Sequence, residues 1–279
     1  MPELPEVETI RRDLLPRVVG RTITHVYLSP DAPRLVRWPS PAEFCRALPG
    51  QRIEAISRRG KYLLFHLSDG PACRQARRYL IVHLRMTGVL LHRDQDAPAD
   101  AYLRAVLALD HGDELRYTDF RKLGTMWLTD DPHSVVGRLG PDVLDQAFTV
   151  AVLRSLLDRR SAPIKAVLMD QGALAGLGNI YSEEALFLAG VHPQRPAKSL
   201  SDDDVTRLHR AIGEVLAEAL GHRGSSFRDY VDAEGRQGRH QWHVKVYRRT
   251  DEPCYTCGTQ IERVKVGGRS THFCPRCQK

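Results

Sequence analysis

The N-terminus carries the groups that could do covalent chemistry. Removal of Met1 would leave Pro2 with a secondary amine, and the carboxylates of Glu3 and Glu6 are close by in sequence. A terminal amine titrates near pH 8, so about a tenth of it is neutral at pH 7 and able to attack an electrophilic sugar carbon. The resulting iminium has no N–H proton to lose, so it persists as an electron sink for elimination. Glu3 is the candidate group for the proton transfers.

The same stretch also fits an ordinary capped amphipathic helix. Val7, Ile10, Leu14 and Leu15 fall on one face, Pro5 suits a first helical position, and acidic residues suit the positive end of the helix dipole. The helix alone would explain these residues. The nucleophile hypothesis therefore depends on the rest of the chain.

The C-terminus has the spacing of a metal site. Two cysteine pairs, each separated by two residues, flank sixteen residues: Cys254, Cys257, Cys274 and Cys277. Four thiolates can surround one tetrahedral zinc, and so short a tail needs such a staple to fold. A disulfide framework is the alternative, but Cys45 and Cys73 stand isolated and a reducing compartment is expected. The sequence therefore predicts one structural zinc ion.

Two further segments are candidates for phosphate binding. Between the cysteine pairs, residues 261–266 and 269–273 flank Gly267-Gly268, which predicts a hairpin with a two-residue turn. Residues 171–181 contain three glycines ahead of a helix start, where backbone amides can hold a phosphate. A glycine-rich connection is more often a simple turn, so this second signal is weak by itself.

Composition points to a basic protein with a polyanionic partner. The 279 residues carry a formal charge of +7 and a pI of about 9.2, although an ordinary basic enzyme would show the same excess. No signal peptide and no apolar run of membrane-spanning length is evident. We expect a soluble, intracellular protein.

Periodicity predicts an α+β protein with an N-terminal antiparallel β-sandwich and a C-terminal helical domain. The strand patterns lack the intervening helices that parallel crossovers require, and residues 42–48 alone look helical among them. A period of 3.6 residues begins near residue 149. Strands are predicted over 22–28, 51–57, 62–67, 79–91, 103–109, 114–118 and 125–128, and helices over 150–157, 164–169, 179–188 and 201–220.

These patterns predict the following domain order. An antiparallel β domain over 1–133 is followed by a linker over 134–148 and a helical domain over 149–221. A mobile loop and a short strand (243–248) occupy 222–250, and a zinc ribbon completes the chain over 251–279.

Taken in order, these motifs resemble the bacterial formamidopyrimidine-DNA glycosylases. The resemblance spans the chain and is carried by residues 2–8, 59–63, 83–88, 119–124 and 171–181 and by the four-cysteine tail. It implies a bifunctional glycosylase and AP lyase of base-excision repair that removes oxidised purines, such as 8-oxoguanine and formamidopyrimidines, from duplex DNA. It also implies β,δ-elimination through an N-terminal proline Schiff base, a helix-two-turns-helix motif and DNA bound in a cleft between the two halves. The domain over 1–133 would then be catalytic and the helical domain over 149–221 would bind DNA, in a cytoplasmic monomer that associates with the nucleoid through DNA.

The resemblance also implies roles for single residues. Pro2 is similar to the Schiff-base nucleophile and Glu3 to the proton donor, while Lys61 matches a lysine near the reacting sugar phosphate. Asn179 matches a phosphate contact, and Arg269 an arginine that grips phosphates and assists the second elimination. For each, the alternative is an ordinary structural or solvated residue.

An enzyme that acts on a base within a duplex must turn the nucleotide out and fill the gap it leaves. Met86 and Leu123 are candidate apolar wedges, and Arg121 can offer several donors to the unpaired partner base. Met86 could instead be a core residue. Leu123 stands where many family members carry an aromatic residue, and Tyr102 where a histidine is common. Arg160 and Lys165 complete the predicted DNA-binding set.

Two other functions fit part of this evidence. An endonuclease VIII-like glycosylase for oxidised pyrimidines would share the proline, the helical motif and the zinc, but residues 3–8 and the Arg121 region favour the purine enzyme. A non-catalytic zinc-dependent DNA-binding module would need no chemistry at Pro2.

Overall fold

The computed structural model describes residues 2–69 and 78–279, so Met1 and Cys73 lie outside the described residues. The chain divides into two compact units. The first comprises Met1–Arg138 with Arg223–Arg239, and the second Leu139–His222 with His240–Lys279. The segment predicted as 222–250 is therefore divided between the units. None of the described helices is both long and apolar enough to cross a membrane.

The described residues of the first unit form two sheets and three helices. One sheet has the strand order β1-β7-β8-β6 and the other β2-β9-β5-β4-β3; β2 pairs parallel with β9, and the other recorded pairs are antiparallel. The elements are α1 (Leu4–Val18), β1 (Ile23–Leu28), β2 (Val36–Trp38), α2 (Pro41–Ala47), β3 (Arg52–Arg59), β4 (Tyr62–Ser68), β5 (Arg78–His83), β6 (Gly88–Asp94), β7 (Leu103–Leu109), β8 (Asp113–Asp119), β9 (Thr125–Thr129) and α3 (His133–Val136).

The core of this unit explains why α1 forms where it does. Val7, Ile10 and Leu14 are buried against apolar side chains of both sheets, and residues 4–10 are buried on every side of the helix. The predicted apolar face is confirmed at these three residues, but the prediction for Leu15 is wrong, since it is 41% exposed. The buried face anchors the N-terminus, and with it Pro2, on the packed strands.

The single strand predicted over 79–91 is wrong. β5 ends at His83 and β6 begins at Gly88, and the two strands belong to different sheets. The chain reverses between them: Gly88 N–H donates to the Leu84 carbonyl at 3.0 Å, and Arg85 has a φ of 56°. A continuous run of aliphatic residues concealed this turn, which positions the candidate wedge Met86.

The second unit contains four helices and a two-stranded hairpin, as predicted. They are α4 (Val150–Leu157), α5 (Ile164–Met169), α6 (Asn179–Ala189), α7 (Asp202–Gly221), β10 (Glu262–Val266) and β11 (Arg269–Phe273). Gly267 and Gly268 have φ values of 55° and 76°, which a two-residue type I′ turn requires.

The strand predicted over 243–248 is also wrong. These residues form turns, and the Glu184 carboxylate accepts hydrogen bonds from the backbone N–H groups of Lys245, Val246 and Tyr247 at 2.7, 3.0 and 2.8 Å. A side chain here takes the place of a neighbouring strand.

Candidate active site and zinc hairpin

Pro2 and Glu3 lie buried immediately ahead of α1, where Glu3 is the N-cap residue. The Glu3 backbone N–H donates to Glu6 Oε2 at 2.7 Å, so the backbone next to Pro2 is held from within the same turn. Pro5 in the first turn of the helix has no N–H that would need a partner. The helical interpretation and the chemical one are thus compatible, because the helix cap holds the candidate nucleophile.

Glu6 also connects the N-terminus to the segment Arg223–Arg239. Its Oε1 accepts the Ser225 N–H at 2.7 Å, and its side chain is 1% exposed. Gly224 is required beside it: its φ is +81°, and an added Cβ would lie 2.7 Å from Glu6 Oε1. Tyr230 Oη lies 3.4 Å from the Glu6 carbonyl. The sequence analysis treated this segment as a mobile loop and missed its hydrogen bond to Glu6, through which it supports the N-terminus.

Lys61 lies in the turn between β3 and β4, and it is only 5% exposed. His83 at the end of β5 is equally enclosed: burial, with the positive charges of Arg85 and Lys61, lowers its pKa to about 3. Its Nδ1 accepts the Arg85 N–H at 3.0 Å, so the imidazole is neutral at physiological pH and orients the turn that follows. The neutral imidazole therefore adds no further positive charge to those of Lys61 and Arg85.

The loop that carries Arg121 is organised by the buried carboxylate of Asp119. Its Oδ1 accepts the Arg121 N–H at 3.1 Å, and its Oδ2 accepts the N–H groups of Leu123 and Gly124, both at 2.8 Å. Thr87 donates its hydroxyl to the same carboxylate, which joins this loop to the turn that carries Met86. The Asp119 carboxylate thus fixes both loops that carry the predicted wedge residues.

The predicted wedge side chains are on the surface. Met86 is 41% exposed and Leu123 40% exposed, so Met86 is not a core residue. Arg121 Nη1 lies 3.5 Å from Met86 Sδ, so these two side chains are in contact. Large apolar side chains held outward by a fixed backbone are suited to contact a macromolecular partner.

In the second unit, Asn179 and Arg269 are brought together by the hairpin. Asn179 opens α6 and donates from Nδ2 to the Ser270 carbonyl at 3.1 Å, next to the exposed Arg269 that follows the glycine turn. The buried Asn179 Oδ1 has no hydrogen-bond partner among the described residues. The two predicted phosphate contacts are therefore neighbours, although they are 90 residues apart in sequence.

The structure corrects the expectation for Lys165. Its side chain is 0% exposed, and its ammonium donates to Glu183 Oε1 at 2.5 Å, to Thr271 Oγ1 at 2.7 Å and to the Ser270 carbonyl at 3.0 Å. All three donors are used within the protein, so none is left for a phosphate. Lys165 instead anchors β11 to the helices.

The four cysteines meet the geometry of a zinc site. Their sulfur atoms all lie within 4.8 Å of one another, with Cys254–Cys277 at 3.9 Å and Cys257–Cys274 at 3.4 Å. A tetrahedral ion with Zn–S bonds of about 2.3 Å requires sulfurs about 3.8 Å apart, whereas a disulfide needs about 2.05 Å. The predicted structural zinc site is confirmed.

Comparison with known proteins matches the chain throughout. Its residues 1–126 match the model of the formamidopyrimidine-DNA glycosylase N-terminal domain, 139–231 the H2TH domain of the same family, and 251–279 the zinc finger found in FPG and IleRS. A formamidopyrimidine-DNA glycosylase of Heliobacterium modesticaldum is 48% identical over 286 residues, with both chains covered completely. The chain belongs to the formamidopyrimidine-DNA glycosylase family.

Other members of this glycosylase family are also similar to the chain over nearly their full lengths. The protein of Desulforamulus reducens is 44% identical, covering 100% of this chain and 99% of its own. Two crystal complexes of the Lactococcus lactis enzyme, one of a mutant with Fapy-dG-containing DNA and one with abasic-site DNA, each match at TM-score 0.89 and 37% identity over the full length of both chains.

Two other predicted contacts of this glycosylase lie on the surface. Tyr102 is 62% exposed and has a left-handed φ of 58°, which indicates a constrained backbone. Arg160 is 40% exposed at its side chain and lies 3.4 Å from Asp170. The sequence analysis overlooked Phe120, which is 47% exposed with its ring centroid 6.1 Å from that of Tyr102. Its position directly before Arg121 was the available signal.

Proposed function

We propose that this family member is a bifunctional DNA glycosylase and AP lyase for oxidised purines in duplex DNA. The observation that carries the proposal is the N-terminus: Pro2 and Glu3 are buried together, and the Glu6 carboxylate holds the backbone between them and α1. The Lactococcus lactis complexes with Fapy-dG and abasic-site DNA support this substrate class.

The reaction begins after Met1 is removed. The neutral amine of Pro2 attacks C1′ of the damaged nucleotide, and the C1′–N bond breaks as the base leaves with a proton from the carboxyl group of Glu3. The proton that Pro2 loses on bonding to C1′ returns to the Glu3 carboxylate. Glu3 moves protons during ring opening, which yields an iminium between Pro2 and C1′. Loss of a C2′ proton then expels the 3′ phosphate, and a further elimination expels the 5′ phosphate. Lys61 and Arg269 bind the phosphate groups during these steps.

In the proposed mechanism, side chains of the two exposed loops support the duplex when the damaged nucleotide is turned out of it. Met86 and Leu123 would occupy the gap in the stack, and Arg121 would meet the partner base. Asp119 fixes Arg121 and Leu123 through backbone hydrogen bonds and joins the turn of Met86 through the Thr87 hydroxyl, so little ordering is required when DNA binds.

Borohydride trapping tests the covalent step. We expect a protein–DNA adduct on lesion-bearing duplex, with the linkage at residue 2. Protein that retains Met1 should bind the same duplex but form no adduct, because its residue-2 nitrogen is an amide. Glu3→Gln should bind the lesion yet lose most base release, while still nicking a ready-made abasic site. Adduct formation by Met1-retaining protein, or a linkage at Lys61, would overturn the role of Pro2.

The substrate class is tested separately. Duplexes that each carry one defined oxidised purine or one oxidised pyrimidine should be scored for base release and for nicking. Faster release of the purines is expected. Preference for the pyrimidines would instead support an endonuclease VIII-like enzyme with the same covalent chemistry.

A further inference from the structure

A second group of metal-ligating side chains lies in the second unit, outside the four-cysteine site. Glu218 and His222 are four residues apart at the end of α7, and His243 follows the 3-10 turn His240–Trp242. One ligand atom from each of Glu218, His222 and His243 lies within 4.8 Å of the other two. Residues at i and i+4 share a helix face, so both side chains point to the same region.

The ring of His222 contacts both His243 and a third histidine, His240. The rings of His222 and His243 stack with centroids 3.8 Å apart and planes inclined by 19°. His240 is only 2% exposed, and its Nδ1 is 3.2 Å from Nδ1 of His222, within hydrogen-bonding distance. The buried Nε2 of His240 has no hydrogen-bond partner among the described residues. A buried polar neighbour that orients a ligand is typical of metal-binding histidines.

The donor set fits a divalent transition-metal ion. Two imidazoles and one carboxylate suit zinc and its neighbours in the first transition row, and three protein ligands leave a position open for water. Metal–ligand bonds of about 2.0 to 2.2 Å place donor atoms about 3.3 Å apart in a tetrahedron. An imidazole binds a metal through a lone pair in its ring plane, so His243 must turn out of its stack on His222 before both rings can bind one ion. Glu218 and His243 are exposed, so both side chains can make this adjustment. A cavity of about 50 Å³ lies against these residues and His240.

We propose that Glu218, His222 and His243 bind one divalent transition-metal ion, Zn²⁺ for example, in addition to the zinc of the hairpin. The place of the three ligands in the chain implies a structural role for the bound ion. The chain passes from the second unit to the first after His222 and returns at His240. The ligands lie next to both crossings, so a bound ion ties together the two ends of the segment Arg223–Arg239.

Zinc stoichiometry tests the site in the full-length protein. Protein purified with its hairpin zinc is dialysed against micromolar Zn²⁺, and bound metal is measured by mass spectrometry. Wild type should hold two equivalents. The double variant Glu218→Gln, His243→Ala should hold one, or bind the second at least tenfold more weakly. The matched control is Glu214→Gln, an exposed acid one turn earlier on α7, which should hold two.

A cobalt titration identifies the donor atoms. Co²⁺ added to protein that holds only its hairpin zinc should give the weak visible bands of a nitrogen and oxygen site without thiolate charge-transfer absorption, and the double variant should give no such bands. Retention of one zinc by the double variant shows that its hairpin is intact. The proposal is overturned if wild type binds one equivalent only, if the double variant still binds two, or if cobalt shows thiolate bands alone. In each of those cases the stacked histidines serve packing only.

Discussion

Glu6→Gln should damage both the stability of the first unit and the covalent chemistry at Pro2. Each carboxylate oxygen of Glu6 accepts one backbone N–H at 2.7 Å, from Glu3 and from Ser225. A glutamine side chain has one acceptor oxygen and one NH₂ group. Whichever way the amide is turned, the NH₂ faces an N–H donor, so one hydrogen bond becomes a repulsive contact.

The magnitude follows from burial. The Glu6 side chain is 1% exposed, so no water can replace the lost acceptor. A hydrogen bond to a charged group contributes about 1.5 to 3 kcal/mol, and an unsatisfied buried donor adds to its loss, giving about 2 to 4 kcal/mol. For a unit of this size the melting temperature should fall by roughly 5 to 15 °C. Displacement of Pro2 by about 1 Å should slow trapping on abasic DNA about 100-fold.

Calorimetry and borohydride trapping on a ready-made abasic site measure the two effects, with trapping done well below the melting temperature. Glu43→Gln is the matched control, because Glu43 holds the same third position in the cap of α2 but is exposed, with Ser40 N–H 3.1 Å from its Oε2. It should melt close to the temperature of the wild type and trap normally, because water can replace its hydrogen bonds. Equal melting shifts for the two variants, or normal trapping by Glu6→Gln, would refute the reasoning.

Three further predictions concern other parts of the chain. Arg121→Ala should reduce the preference for cytosine over adenine opposite the lesion by about 1 to 3 kcal/mol, since cytosine offers two adjacent acceptors; equal slowing opposite both bases in excision kinetics would contradict this. Cys274→Ser should abolish the hairpin zinc, measured by metal analysis, and weaken DNA binding more than it lowers the melting temperature of the first unit. Burial opposes ionisation of Glu8, but hydrogen bonds from Arg11 and Arg12 outweigh it and hold the Glu8 pKa at about 2. This stabilisation is therefore present above about pH 4.5 and lost as pH falls toward 2, so Glu8→Gln should flatten the acid-denaturation curve measured by circular dichroism between those values.

Local patterns predicted most of the secondary structure. The periodic helices α4 to α7 and the hairpin around Gly267 depend on features within a few residues of one another, and those predictions are confirmed. The predictions over 79–91 and 243–248 failed because apolar content suggests extended chain but does not show where its hydrogen-bond partners lie. Those partners are β8 for β6 and the Glu184 carboxylate for the second segment.

At the candidate site, too, sequence patterns did not show which distant residues are hydrogen-bond partners. Its residue types could be recognised in sequence, but the side chains that position them could not. Glu6 accepts a hydrogen bond from a residue 219 positions away, Glu183 from one 89 away and Glu184 from one 61 away. In sequence these acids look like the exposed ones on helix surfaces.

Burial reverses the usual role of such acids. A carboxylate that is enclosed costs free energy unless donors surround it, and backbone N–H groups of irregular segments need acceptors that no strand supplies. Glu6, Asp119 and Glu184 each meet both needs by accepting backbone N–H groups. Because one carboxylate can accept several hydrogen bonds, it can fix a non-repetitive backbone much as the hydrogen bonds of a sheet fix a strand. This explains how exposed loops such as the one bearing Arg121 can be rigid without regular secondary structure.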